Sequence, residues 1–536
     1  MSSSSPSPLP FAPDHPWPYS LPDALRFTLS EPLAQALAGS AANCFFRCRD
    51  EGGERWVEVN EDEERAWGLL PVEWRAFFEE VEEGERERML VDLSRGKRAD
   101  FPPSLNSFLH SCSSLSLSRV CSPRPVLSFP PSPPASAEEE GSEPPPWPPV
   151  REEEREIGAR EKGRNEKNAR KAGMGPKKEH EVAQLSRLVQ DLLDESPLTH
   201  CVDVGSGRAH LSRALACPPL NLHVLAIDWS SSQKSGAERL DAIRSSAQLG
   251  PTTGSLTHEV SSLDAEGVQA ALGRWPPPPA EGEEAEPALL VALHACGDLT
   301  PAALEAFVRA DKEDAERRKG ARAIFVGCCY NLQTPLLFPL SSTVRSLLPS
   351  LSLSPAPMSL AHLRLTPQSP PTWHASPSDS AAFRASTLKI AYRARFEAEL
   401  AAAGVGVEHE RRVGRIPEIK LYPDYRAKAL ERYDYGRTVV GEEDVPPLRF
   451  GRPGTDEGAE WSRALWMLRV FWTIRSWLGP PLESLCVVDR FAYLCEGLAD
   501  EWTGADAGER RRRKVEVVNV FEQSTGSLRN LALVVR

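Results

Sequence analysis

The run Cys201-Val-Asp-Val-Gly-Ser-Gly-Arg-Ala-His-Leu-Ser212 limits what this chain can fold into more than any other stretch. A short apolar segment carrying Asp203 breaks into a Gly205-Ser206-Gly207 turn and leads into a helical pattern beginning near His210. Strand, glycine turn and helix in that order open a doubly wound α/β sheet. A side chain at either glycine would fill the space above the turn, so the bare backbone there suits a nucleotide-like group. Leu222 to Asp228 reads as the next strand, with an acid at its tip placed to accept ribose hydroxyls.

Two groups suit such a turn: a dinucleotide and S-adenosylmethionine. The dinucleotide fingerprint needs Gly or Ala three residues after its second glycine, and His210 stands there. Asp203, two residues before Gly205, suits the amino group of a methionine moiety instead. Asp228 serves either group. The end of the chain adds a second argument. Val515–Phe521 and Leu528–Val535 flank a turn at Ser524-Thr-Gly526 and read as an antiparallel pair, which the methyltransferase variant of this fold uses to close its sheet. S-adenosylmethionine is therefore the expected cofactor.

The fold class expected is α/β: a doubly wound, mostly parallel seven-stranded sheet closed by that pair, with an N-terminal helical accessory domain and a helical insertion. Val182, Leu185, Leu188, Val189, Leu192 and Leu193 recur at helical spacing before Pro197, placing a helix just ahead of the glycine-turn strand. Further strands are expected at Leu256–Val260, Ala288–Leu293 and Ala321–Gly327. The boundaries predicted are a disordered 1–19, helical accessory domain 20–119, and a disordered linker 120–175 rich in Ser, Pro and charge. The methyltransferase core follows at 176–400, with low-complexity inserts at 276–287 and 343–380, then the helical insertion 401–510 and the strand pair 511–536.

Composition excludes several classes. No uncharged apolar run reaches the roughly 18 residues that would suggest a membrane span. The opening Met-Ser-Ser-Ser-Ser-Pro lacks the basic and apolar regions of a secretory signal. Eleven cysteines, an odd number without framework spacing, indicate reduced thiols in an intracellular protein of cytoplasm or nucleus. A net charge of −13 argues against sequence-blind adhesion to nucleic acid, and no DNA partner is expected. The basic runs Arg160–Lys178 and Arg510–Lys514 read as a solvated linker and a surface loop.

Four motifs occur in order: Lys177-Lys-Glu-His-Glu-Val182, Val202-Asp-Val-Gly-Ser-Gly207, Leu293-His-Ala-Cys-Gly-Asp-Leu299 and Gly327-Cys-Cys-Tyr-Asn331. With Phe338-Pro-Leu-Ser341, Val488-Asp-Arg490 and Phe521–Asn530, the chain resembles the methyltransferase-like protein 25 family, also labelled ribosomal RNA adenine dimethylase domain-containing proteins. The resemblance covers most of the chain outside the inserts and implies a class I methyltransferase using S-adenosylmethionine. The sequence departs from the family at Ala209, where Gly is usual. It also lacks the Asn/Asp-Pro-Pro/Leu-Tyr/Phe tetrapeptide by which enzymes acting on adenine N6 hold the base. His294-Ala-Cys-Gly-Asp298 occupies that place.

The cofactor set expected is Lys178, Asp203, Gly205, Ser206, Gly207, Asp228 and Asp264, with Asp264 facing the adenine amino group and Lys178 either near the cofactor carboxylate or solvating its helix. The acceptor set expected at the ends of the fourth and fifth strands is His294, Cys296, Asp298, Cys328, Cys329 and Tyr330. Those six residues admit three readings: an acceptor pocket with His294 or Asp298 taking a proton, a thiol-rich metal site, or buried cysteines packing the strand ends. No Cys-x-x-Cys finger spacing is present, so no resident metal is expected. A macromolecular acceptor, RNA or a translation-related protein, follows from accessory regions larger than a small substrate needs. The alternative is a non-catalytic scaffold that keeps the fold.

Overall fold

The computed structural model describes residues 19–40, 44–96, 98–129, 174–245, 253–277, 286–313, 321–405, 416, 420–433, 443–498, 513–523 and 527–536. Residues 1–18 and most of 120–175, which are expected to be disordered, most of the 276–287 insert and the greater part of both basic runs lie outside the described residues, whereas Tyr19 is described and buried. Strands in chain order are β1 (Phe46–Glu51), β2 (Glu54–Val59), β3 (Ser122–Phe129), β4 (His200–Val204), β5 (His223–Asp228) and β6 (Ser255–Val260). They continue with β7 (Ala288–Cys296), β8 (Arg322–Cys328), β9 (Arg449–Phe450), β10 (Val515–Asn519) and β11 (Leu531–Val535). Among the described residues no helix is long and apolar enough to cross a membrane.

The chain divides into two compact units. One comprises Met1–Leu25, Leu115–Pro367 and Pro481–Arg536, and the other Arg26–Ser114 and Gln368–Pro480. The first unit holds a sheet of eight strands in the order β3-β10-β11-β8-β7-β4-β5-β6. Strands β4 to β8 are mutually parallel, while β10 and β11 pair antiparallel with each other and β11 runs antiparallel to β8. Strands β4, β7, β8, β10 and β11 are buried on both faces over most of their length, which is why they read as near-continuous apolar runs. The helix Pro176–Glu195 starts with Pro at its first turn and buries Val182, Leu185, Leu188, Val189 and Leu192 against the sheet residues Cys201, Val224, Leu289 and Val291. Its end follows from Pro197, which forces Ser196 into an extended conformation.

An eighth strand replaces the expected seven. β3 falls in a segment whose Ser and Pro content predicts a linker, yet it pairs along the outer side of β10. Proline lacks a backbone N–H and is tolerated on a strand that has a partner on one side only. The region 343–380, expected as a low-complexity insert, contains the helices Ser342–Leu347 and Leu360–Leu365 and the start of Pro377–Ala402. Its buried Val344, Leu348, Met358, Leu363 and Leu365 supply the apolar content that its Ser and Pro obscure.

The second unit packs helices around a small sheet, β1-β2-β9. Its hairpin turns at Gly52 and Gly53, with φ of 64° and 86°, the conformation a two-residue hairpin loop demands. This sheet is a departure from the all-helical expectation for 20–119. Its core is aromatic: Phe46 meets Phe450 at 5.1 Å, Trp461 stacks on Tyr392 at 5.7 Å, and the Arg395 guanidinium covers Tyr422 at 4.1 Å.

Candidate active site

In the first unit the chain winds from β4 outward through β5 and β6, then returns to place β7 on the other side of β4. Open parallel sheets bind ligands beyond the carboxyl ends of their strands at such a reversal. A cavity of about 780 Å³ lies there. Gly205 after β4, Asp228 and Trp229 after β5, Asp264 after β6, and His294, Cys296 and Asp298 at the end of β7 all line it. That volume falls within the usual range for a small-molecule site.

The turn after β4 is shaped by its glycines. Gly205 has φ 73° and its N–H donates to the Ile227 carbonyl, as does that of Ser206. A Cβ on Gly205 would come within 2.9 Å of Leu299, whereas one on Gly207, with φ 54°, would meet open space. Gly207 N–H donates to one Asp228 oxygen and Ser230 N–H to the other, both at 2.9 Å. A carboxylate has about four acceptor positions, so Asp228 can still receive two more donors from the cavity.

Asp203 and Lys178 sit deeper than the sequence suggests. The buried Asp203 accepts from the Ser212 hydroxyl, and burial raises its pKa to about 6 against the opposing effects of Ser212 and Lys178. Its carboxylate does not line the cavity. Lys178 Nζ lies 3.9 Å from Glu181 and is lowered in pKa by burial, with Glu181, Asp203, Cys328 and Cys296 pulling the other way. Asp264 is the N-cap of the helix Ala265–Arg274: it accepts from Gly267 N–H at 2.8 Å and from Ser262 Oγ, and these bonds hold its pKa below the usual carboxylate value.

The second half of the site is where β7 leaves regular geometry. A register shift lies between Leu293 and Ala295, and His294 takes φ 60°. Bulges re-aim side chains next to functional sites. His294 Nε2 meets Glu181 Oε2 at 2.6 Å. Burial pushes the Glu181 pKa up, but the hydrogen bond and charge of His294 outweigh it and hold the acid below its ordinary value. Cys296 Sγ lies 3.1 Å from Cys328 Sγ on the neighbouring strand, and that hydrogen bond pulls the Cys296 thiol to about 6. Cys329 follows with φ 49°.

Two members of the expected acceptor set have other engagements. Asp298 accepts from Thr334 N–H at 2.6 Å and Thr334 Oγ1 at 2.7 Å, clamping the chain after β8 to the end of β7. Tyr330 does not reach the cavity: it is buried beneath the Arg490 guanidinium, 4.7 Å from the ring, and Arg490 bonds Gln333 at 2.6 Å. A phenol so enclosed is shielded from an acceptor, and burial raises its pKa strongly. Asp489 and Arg490 serve structure. Asp489 accepts from Leu340 N–H, Ser341 N–H and Ser341 Oγ at 2.7–2.9 Å.

The sheet thus brings Gly205, Asp228, Asp264, His294, Cys296 and Asp298 to one cavity, while Lys178, Asp203, Ser206, Gly207, Cys328, Cys329 and Tyr330 stand behind or beside its lining. Three residues escaped the sequence reading. Glu181 was legible only as the residue one helical turn after Lys178. Trp229, 73% exposed on the cavity rim, follows directly on the strand-tip acid. Thr334 left no sequence signal, because its partner Asp298 is 36 residues away.

A family model described as a methyltransferase domain matches residues 177–334. The match runs from the helix carrying Lys178 and Glu181 through β8 to Thr334, and so spans β4 to β8 and most of the cavity lining. It supports a methyl-transfer function for this unit. No solved structure matches the chain.

Proposed function

We propose that this chain is an S-adenosylmethionine-dependent methyltransferase of the class I type, acting on a macromolecule. The observation that carries the proposal is the cavity at the β4/β7 reversal, lined by Gly205 of the glycine turn and by Asp228. The residues fit the donor. Asp228 retains acceptor capacity for ribose hydroxyls, Trp229 adds an aromatic group next to it in the lining, and Asp264, at the end of the neighbouring strand, lines the same cavity with acceptor oxygens for an amino group. The donor's sulfonium supplies an already activated methyl group.

The protein's task is then alignment and proton removal. Holding an acceptor in line is worth about 7–11 kcal/mol. Glu181 fixes His294 through Nε2, which leaves Nδ1 as the nitrogen able to take a proton. Trp229, Leu332 and Leu336, at 73%, 61% and 77% exposure, give this unit exposed apolar groups suited to a base or side chain presented by a larger molecule.

The test is transfer of tritiated methyl from S-adenosylmethionine into cell extract by the purified full-length chain. Label should enter macromolecules. Loss of label to nuclease identifies RNA, and loss to protease identifies protein. Absence of macromolecular label contradicts the proposal.

A further inference from the structure

We propose that Cys296, Cys328 and Cys329 form a three-thiolate zinc site whose fourth coordination position opens toward the cavity. Their sulfur atoms all lie within 4.8 Å of one another, and Cys296 and Cys328 approach to 3.1 Å. Zinc bound at about 2.3 Å to tetrahedral thiolates sets the sulfurs about 3.8 Å apart, inside that range. No local spacing signals such a site, because the sheet assembles it: Cys296 and Cys328 face each other as register partners on β7 and β8.

Packing does not account for the cluster. Cys112, Cys201, Cys486 and Cys495 are fully buried and behave as small apolar residues, whereas Cys296 is exposed and Cys329 is half-buried. A disulfide between Cys296 and Cys328 would leave the third thiol without a role. The backbone also departs from regular geometry on both sides of the cluster. The bulge at His294 sets the direction of Cys296, and Cys329 itself takes a left-handed conformation that side chains rarely adopt. Such outliers gather at functional sites.

The electrostatic setting agrees. Zinc with three thiolates carries one negative charge. Lys178 acts on Cys296 and Cys328, and Arg529 acts on Cys296 and Cys329. Arg529 Nε is buried and has no hydrogen-bond partner among the described residues. Cys296 lines the cavity, so the fourth ligand comes from that side, as water or as a donor atom of a bound molecule. Structural zinc sites are closed by a fourth protein ligand, and an open position marks a reactive one.

Cobalt(II) titration of the reduced full-length chain without methyl donor tests the site, so its failure would leave the methyltransferase proposal standing. One equivalent should bind, with an intense thiolate-to-cobalt charge-transfer absorption in the near ultraviolet and tetrahedral bands in the visible. Zinc should displace it. Cys296→Ser and Cys328→Ser should each weaken cobalt binding at least about tenfold. Cys217→Ser, at a half-buried thiol outside the cluster, should leave it unchanged. Circular dichroism confirms that the variants are folded. Absence of the charge-transfer band in the wild-type protein, equal binding by Cys296→Ser, or a Cys296–Cys328 disulfide in protein prepared anaerobically would overturn the assignment.

Discussion

Glu181 and His294 meet at 2.6 Å, joining the helix ahead of the glycine turn to the bulged end of β7. The carboxylate is 3% exposed and the imidazole 27%, so one is held inside while the other faces the cavity. Replacing Glu181 by Gln keeps the shape and removes the charge that orients the ring. Turnover should fall while methyl-donor affinity stays as it was. His294→Ala should cost about 10²–10⁴-fold in kcat, the usual contribution of a general base. Single-turnover methylation alongside donor-binding measurements separates the two effects. Equal losses in donor binding and turnover would show that the pair serves packing alone.

Asp298 is bonded twice to Thr334, and that geometry assigns it to holding the loop after β8. Asp298→Ala loses both bonds and Thr334→Val only the hydroxyl bond, so Asp298→Ala should lose more, and the double variant should be no worse than Asp298→Ala. Residues sharing one interaction are not additive. A thermal-denaturation and activity cycle over the four proteins checks this. Full additivity would mean that Asp298 acts on something other than Thr334.

Two buried acids predict how stability varies with pH. Asp203 and Asp489 both rise to about 6 from an ordinary 3.8, with burial the dominant cause. An acid that holds its proton more tightly when folded stabilises the fold most below its unfolded value and loses that stabilisation as pH rises through the folded one. Each group therefore contributes a loss of about 3 kcal/mol between about pH 4 and pH 7. Denaturant unfolding of the Asp203→Asn variant across that window should show a shallower decline than the wild type. A parallel decline would contradict the assignment.

At Asp489 the neutral variant has a second consequence. Three donors from Leu340 and Ser341 converge on this carboxylate. Asp489→Ala leaves them buried without an acceptor, and each such group costs about 1–3 kcal/mol. Limited proteolysis should then cut near 338–343 in the variant before it cuts the wild type.

Much of the first unit is legible in the sequence because its determinants are local. The Gly205-Ser-Gly207 turn, the acid at the tip of β5 and the apolar face of Pro176–Glu195 each lie within a window of about 20 residues. β3 was hidden because partnership with β10, some 390 residues later, turns a Ser/Pro segment into a strand. The β1–β2 hairpin had a readable signal, Gly52-Gly53 between alternating segments, which a helical reading of the flanks overrides. The strand-end position of Asp203 points toward a ligand, but Ser212 on the following helix offers it a nearer donor. Glu181, Thr334 and the thiol cluster depend on which strand ends the sheet makes neighbours, and spacing along the chain does not carry that.

Equilibrium dialysis with radiolabelled S-adenosylmethionine, using the wild-type chain and Asp228→Ala, tests the central claim most directly. Hydrogen bonds to a charged group contribute about 1.5–3 kcal/mol, so the variant should bind roughly 10- to 150-fold more weakly. The wild type should bind one equivalent and saturate. No binding by the wild type at millimolar cofactor, or equal affinity in a folded Asp228→Ala protein, would contradict the account.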